Sequence, residues 1–243
     1  MLRGDFGESF FYQTPAVDDI KKKFPVTLEL AIMAVLLASC VAVPLGVISA
    51  IKQDTKADYA TRLITLMGIA LPNFWIGIMV ILFLAILFDW IPPLLYSDLW
   101  NDPWKNAQQL FFPAMALGFS NMAFIARITR SAMLEVLRED YIRTARAKGL
   151  GERVIMSRHA LRNALLPVVT VAGYEFGSLI SGTVAIEVIF TVPGMGRLLI
   201  SSILWRDYTM IQAIIVIIAV LILTLNVFLD LLYAWLNPRI RYT

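Results

Sequence analysis

The 243-residue chain has one cysteine and one histidine. Cys40 lies in an apolar run with no second thiol, so no intrachain disulfide can form, and it reads as a small buried hydrophobe. His159 has no cysteine or histidine beside it in sequence, which argues against a catalytic metal centre. The phosphate-binding pattern Gly-x-x-x-x-Gly-Lys-Ser/Thr is missing, and with it the commonest loop for holding ATP. Charge is scarce too. Charged residues make up 16% of the chain and hydrophobic ones 59%, with a mean hydropathy of +0.73. A soluble domain usually carries about 25% charged residues.

What charge there is lies in short segments between long apolar runs. A bilayer selects that arrangement, because its core has no water to solvate charges or free backbone groups. The sequence therefore predicts an all-α, multi-pass membrane protein. Five stretches are long enough to cross the hydrocarbon, at about 26–51, 63–88, 108–126, 164–190 and 208–236. They give an N-terminal external segment (1–25) and a transmembrane domain (26–243), with the longest charged loop at 127–163. Trp90, Trp100, Trp104, Trp205 and Trp235 fall near span ends, as an interfacial aromatic belt requires. Pro44, Pro72 and Pro167 lie inside or at the ends of spans, where neighbouring helices can satisfy freed backbone groups.

Orientation follows from lysine and arginine. The 52–62 loop holds three, the 127–162 loop nine and the C-terminal tail two, 14 in all against seven on the other side. The richer side is expected to be cytoplasmic, which places the C-terminus inside and the N-terminus outside. Lys21, Lys22 and Lys23 oppose this mildly. Residues 1–25 lack the apolar region of a signal peptide. Nothing ahead of Val26 could carry an external N-terminus across, so a further helix is expected upstream of Met1. The net charge of +3 is explained by these loops, and no nucleic-acid partner is expected.

The 127–163 loop is rich in good helix formers up to Lys148, is broken by Gly149 and Gly151, and resumes as a helix from about Glu152. Leu134, Leu137, Tyr141, Ala145 and Lys148 recur at spacings of three and four, which predicts one helical face. From periodicity alone the loop reads equally as an amphipathic, lipid-facing linker or as a knob gripped by a soluble partner.

Particular motifs go further. Arg143-Thr-Ala-Arg-Ala-Lys-Gly149, with Asn163-Ala-Leu-Leu-Pro167 downstream, resembles the EAA loop of ABC-importer permeases. It is most similar to the first permease subunit of the dipeptide, oligopeptide and nickel branch. Arg3-Gly-Asp-Phe-Gly-Glu-Ser9 and Ala70-Leu-Pro-Asn-Phe-Trp75 match that subunit in order. So do Glu187-Val-Ile-Phe-Thr-Val-Pro-Gly-Met-Gly196 and Arg206-Asp-Tyr-Thr-Met-Ile-Gln212. The general pattern opens on Glu where this chain has Arg143, and the spacing from Gly149 to Leu166-Pro167 is longer. Both departures are typical of the peptide branch.

The resemblance implies a type I ABC importer permease fold in the bacterial inner membrane. It implies a non-catalytic permease subunit with a second permease as partner, two cytoplasmic ATPase subunits and an extracytoplasmic solute-binding protein. This chain would bind no cofactor; ATP and Mg would sit on the partner ATPases. Tyr141, Arg143, Thr144, Ala145, Lys148 and Gly149 would form the ATPase-coupling helix, with Gly149 making the sharp turn and Leu166-Pro167 setting the entry of the fourth span. Glu187, Pro193, Gly194, Gly196, Arg206 and Asp207 would lie in the loop facing the binding protein. From the residues themselves, Glu175 is a candidate for the translocation path, because an intramembrane carboxylate usually faces protein or water. Asn73 and Asn226 read as interhelix hydrogen-bonding groups that could also line the path. Glu187 and Asp230 sit nearer span ends, where solvated or structural roles fit.

Two other classes fit less well. A secondary transporter predicts inverted repeats, which are not visible here. An intramembrane enzyme needs a nucleophile–base pair or a metal cluster. Substituting Gly149→Asp is expected to abolish transport while leaving membrane insertion intact, and equal uptake by mutant and wild type would sink the coupling assignment.

Overall fold

The computed structural model describes residues 6–91, 93 and 96–236, the last five by backbone alone. Arg3, Gly4 and Asp5 of the first motif, the ring of Trp235 and the tail from Asn237 lie outside the described residues. The helices are α1 (Ala16–Ile51), α2 (Lys56–Ala70), α3 (Asn73–Phe88), α4 (Pro103–Val136) and α5 (Asp140–Ala147). Then come α6 (Glu152–Val154), a π-helical segment (Ile155–Ala160), α7 (Leu161–Ile189), α8 (Met195–Leu204) and α9 (Tyr208–Leu236). Four runs are long and apolar enough to cross a membrane: α1, α4, the continuous 38-residue Glu152–Ile189 run, and α9. A fifth is counted if α2 and α3 make one broken span.

The helix ends differ from the sequence expectation for identifiable reasons. α1 begins ten residues before the 26–51 span. Its first turns are amphipathic, with Ala16 and Ile20 buried while Lys21 and Lys22 face outward. Acidic Asp18 and Asp19 sit in the first turn, where the helix dipole favours them. The second span is interrupted: Leu71 and Pro72 are both extended, with ψ of 131° and 137°. Proline disfavours the helical conformation at the residue before it. α4 outruns the 108–126 span at both ends. Cys40 is exposed on α1 rather than buried, although Ala38 and Ala42 on either side of it are buried.

The chain forms two compact units. The first gathers the described residues up to Ala34, within Pro72–Gly118 and in Phe176–Phe228; the second gathers Val35–Leu71, Phe119–Glu175 and the described residues from Leu229 on. In the first unit Ala16 and Ile20 of α1 pack with Met195 and Leu198 of α8 and Met210, Ala213 and Ile214 of α9. In the second, Ala38 and Ala42 of α1 pack with Met122, Ile125 and Ala126 of α4 and Val168 of α7. Small residues let these helices approach closely. A β-carbon on Gly46 would come within 2.6 Å of the Ala126 carbonyl, and one on Gly68 within 2.5 Å of the Ala123 methyl.

Glu187 is the polar centre of the first unit, and it is fully buried. Its Oε1 accepts a hydrogen bond from Thr27 Oγ1 of α1 at 2.7 Å, and its Oε2 one from the Arg197 amide of α8 at 3.0 Å. The Met195 amide in turn donates to Thr27 Oγ1 at 2.8 Å. A carboxylate from α7 thus caps the start of α8 and ties α1 to both. Gly194 leaves the room: a β-carbon there would overlap the Glu187 carboxyl.

Replacing Glu187 with Ala leaves buried donors unpaired and should cost about 3 kcal/mol of stability. Gly194→Ala should be similarly harmful, whereas Gly151→Ala, at φ −66° with open space around it, should be tolerated. Thermal unfolding in detergent, followed by tryptophan fluorescence, checks the order; equal midpoints for Gly194→Ala and Gly151→Ala would refute it.

Candidate functional site

The 127–167 segment builds its exposed surface from the inside out. α4 ends at Val136, the chain turns over Leu137–Glu139, and α5 starts at Asp140 with Glu139 extended before it. At eight residues, α5 is too short to persist in water by itself. Its buried side supplies the missing stability. Ile142 and Ala145 pack into an apolar cluster with Ala50 of α1, Ala132 and Met133 of α4, Ile155, Ala160 and Ala164. Arg143, Thr144, Arg146, Ala147 and Lys148 are exposed, as is Tyr141 at 40%.

This corrects the predicted face. Leu134, Leu137, Tyr141, Ala145 and Lys148 do not line one stripe, because the turn at Leu137–Glu139 resets the helical phase. Leu134, Leu137 and Ala145 join the apolar cluster, while Tyr141 and Lys148 point outward.

The end of α5 is a Schellman turn. Gly149 N–H donates to the Arg146 carbonyl at 2.9 Å and Leu150 N–H to the Ala145 carbonyl at 3.3 Å, with Gly149 at φ +76°. A β-carbon on Gly149 would meet nothing within 4 Å. Within this chain, then, glycine is required here for its left-handed backbone and not for space. Arg146 reaches across the turn to Glu152, Nε to Oε1 at 2.7 Å, and this ion pair raises the arginine's pKa.

Tyr141 joins the two matched motifs. Its hydroxyl accepts a hydrogen bond from Asn163 Nδ2 at 2.7 Å and lies 3.5 Å from the His159 carbonyl. The π-helical segment lies between them, inserting an extra residue into the helix and turning Asn163 toward α5. Beside α5 a notch of about 500 Å³ is lined by Arg130, Ser131, Leu134, Glu135, Arg138 and Asp140, among others. Leu166 and Pro167 are exposed, and they do not set an entry to the span, since the helix already runs unbroken from Glu152.

The residues assigned to the loop facing a binding protein are mostly interior. Glu187 is the buried cap already described. Gly194 and Gly196 are buried and Pro193 is half-buried. Asp207 is 1% exposed. Its Oδ2 accepts hydrogen bonds from Ser9 Oγ at 2.5 Å and the Phe11 amide at 3.3 Å, and its Oδ1 one from the Met210 amide at 3.1 Å. Asp207 caps α9 and pins the 7–15 turn. Burial opposes its charge, but the Ser9 hydroxyl and the Met210 and Phe11 amides outweigh that and hold its carboxyl below the ordinary carboxylate range. Arg206 alone of the set is exposed, at φ +57°. Around it lie Trp205, stacked on Phe11 at 4.3 Å, and exposed Phe10 and Tyr208.

Of the path candidates, Asn73 opens α3 and Asn226 lies on α9 near Gly177, both half-buried in the first unit. Glu175 is half-buried in the second unit, with no side-chain hydrogen bond among the described residues. Asp230, also in the second unit, accepts one from the Tyr174 hydroxyl at 2.7 Å. Sequence reasoning missed Ser49, Asp58 and Arg130, whose cluster has no local signature because its members lie 9 and 72 residues from Asp58.

A family model described as the binding-protein-dependent transport system inner membrane component matches residues 42–242. The oligopeptide transport system permease protein of Bacillus subtilis is 42% identical over 245 residues, covering 100% of this chain and 78% of that protein. The dipeptide transport system permease proteins of Alkalihalophilus pseudofirmus and Escherichia coli are 39% and 37% identical over 100% of this chain, covering 79% and 78% of their own lengths. Among solved structures, the methionine ABC transporter in an inward-facing conformation superposes with a TM-score of 0.73 at 17% identity, covering 92% of this chain and 98% of that one. An amino acid ABC transporter gives 0.70 at 16%, covering 89% and 94%. At such identities these two likenesses show a shared fold, that of type I importer permeases.

Because the Asp207 carboxyl titrates low in the folded protein, its stabilising effect is present above the ordinary carboxylate range and is lost as pH falls through its own lower pKa. Asp207→Asn should therefore unfold at a lower temperature than wild type at pH 7, with the gap closing only in acid. A gap that stays constant down to acid pH would contradict the capping role.

Proposed function

The chain belongs to the binding-protein-dependent transport system inner membrane component family, and from that premise we propose that it carries peptides through the membrane under the control of cytoplasmic ATPases. It is a multi-pass membrane permease subunit of an ABC importer. The peptide assignment is supported by relatives near 40% identity, which are named as dipeptide and oligopeptide permeases.

One observation carries the coupling part of the proposal. α5 turns a polar face outward, rests on an apolar underside, and ends at a glycine with nothing above it. In this reading α5 is the coupling helix, seated in a cleft of an ATPase subunit. Its seat in α1, α4 and the start of α7 lets a push on α5 move those helices as one piece. The Tyr141–Asn163 hydrogen bond and the Arg146–Glu152 pair keep the turn from deforming first. ATP is bound with Mg and hydrolysed on the partner chains, while a second permease completes the pathway and a solute-binding protein delivers the peptide.

The C-terminus and α5 face the cytoplasm, in keeping with the excess of basic residues on that side. Glu175, half-buried on α7 and unpaired among the described residues, is the path residue the reading favours, with Asn73 and Asn226 as lesser candidates. Of the loop residues, exposed Arg206 and the aromatics around it remain available to the binding protein; Glu187 and Asp207 act behind them by holding α8 and α9.

The test is co-purification of the tagged chain with the second permease and the ATPase subunits, using three Gly149 variants. Asn and Asp both tolerate the left-handed conformation and are equal in size, so they differ in charge, while Ala adds only a methyl group. If the partner surface closes over Gly149, all three should lose ATPase subunits, Asp most, and peptide uptake with them. Stoichiometric ATPase recovery with Gly149→Asp would remove α5 from the interface, and recovery of folded wild type without ATPase would overturn the importer assignment.

A further inference from the structure

Asp58 lies in the first turn of α2, is fully buried, and has no part in the reading above. Ser49 Oγ of α1 donates to its Oδ1 at 2.5 Å, and the Asp54 amide to its Oδ2 at 3.0 Å. Arg130 of α4 approaches as a fork, Nε to Oδ1 at 2.9 Å and Nη2 to Oδ2 at 3.0 Å. Arg62 donates Nε to Oδ1 at 3.2 Å and Nη2 to Oδ2 at 2.6 Å from its own helix. One carboxylate therefore fastens the end of α1, the 52–55 turn and the start of α2 to α4.

The placement of this cluster matters more than its strength. A buried ion pair adds little net stability, because desolvating the charges offsets their attraction. A two-pronged guanidinium–carboxylate contact does fix direction, since both planes must stay aligned. Arg130 lies six residues before the end of α4, and the apolar seat of α5 begins at Ala132 and Met133. Gly68 lies against Ala123 and Phe119, while the buried Thr61 and Thr65 bond back to their own helix, at the carbonyls of Ala57 and Arg62. Among the described residues, Asp58–Arg130 is the one ion pair between two of the apolar helices.

We propose that Asp58 is a positioning residue for transport: gripping Arg130, it makes α2 move with the seat of α5 instead of sliding along α4. This rests on the reading of α5 as the coupling helix. Without the grip, α5 would still engage an ATPase, but its displacement would not be passed on to α2. The signature is uncoupling, meaning hydrolysis without import, which a merely stabilising residue would not produce.

The experiment uses the complete transporter in proteoliposomes, with binding protein and a labelled dipeptide, and reads dipeptide imported per ATP hydrolysed. Asp58→Asn keeps the shape and removes the charge, while Arg130→Lys keeps the charge and removes the fork. Both should retain their ATPase subunits and binding-protein-stimulated hydrolysis, while import per ATP falls by about tenfold, within the usual range of coupling energies. An unchanged ratio in the variants that assemble, including one where import merely tracks the amount of assembled protein, overturns the proposal. If Asp58→Asn does not assemble, Arg130→Lys decides by the same ratio. Wild type that recruits no ATPase would overturn the importer reading itself, an outcome distinct from an unchanged ratio in a working transporter.

Discussion

A peptide group in hydrocarbon has no water to bond, so each membrane helix must satisfy its own backbone and each helix end needs a substitute partner. Four amides at the start of every helix are left without one. In this protein, buried carboxylates answer that need at the starts of α8 and α9, and a third braces the turn before α2. Glu187 accepts from the Arg197 amide at the start of α8, Asp207 from the Met210 amide at the start of α9, and Asp58 from the Asp54 amide just before α2. Each also reaches a distant hydroxyl, from Thr27, Ser9 or Ser49. The same group that repairs a helix end therefore fixes where that end sits against another helix.

Apolar packing then takes the form these fixed ends allow. Within each unit the helices meet through alanine and glycine, at Gly46 against Ala126, Gly68 against Ala123, and Ala16 and Ile20 against α8 and α9. Small residues bring backbones close, which suits a medium where hydrophobicity does not drive helices together. Many other large apolar side chains point away from the chain. Ile86, Leu87, Leu223 and Leu231 are each at least 60% exposed. A bilayer is the surrounding such surfaces require.

α5 is built on the opposite rule. It is a short polar helix that persists because Ile142 and Ala145 enter a cluster made by other helices, and because Gly149 closes its end without needing a neighbour. The exposed polar face of α5 thus rests on an apolar mount built by other helices. The buried Asp58–Arg130 fork lies beside that mount, where direction counts for more than net stability.

The sequence by itself determined the class and the family, because hydropathy and ordered motifs are local quantities that survive without coordinates. It also located the Gly149 turn, since glycine after a run of helix formers is a local signal. It did not determine the ends of α1 and α4, whose amphipathic turns carry charge, nor the break at Leu71-Pro72 inside an uncharged run. The roles of Glu187 and Asp207 were decided by tertiary structure. In sequence they belong to a loop motif that suggests exposure, yet Thr27 and Ser9, from remote segments, enclose them. The face of α5 was decided the same way, because a three-residue turn reset its phase. The Asp58 cluster depended wholly on the fold, since a hydrogen bond spanning 72 residues leaves no periodicity to read.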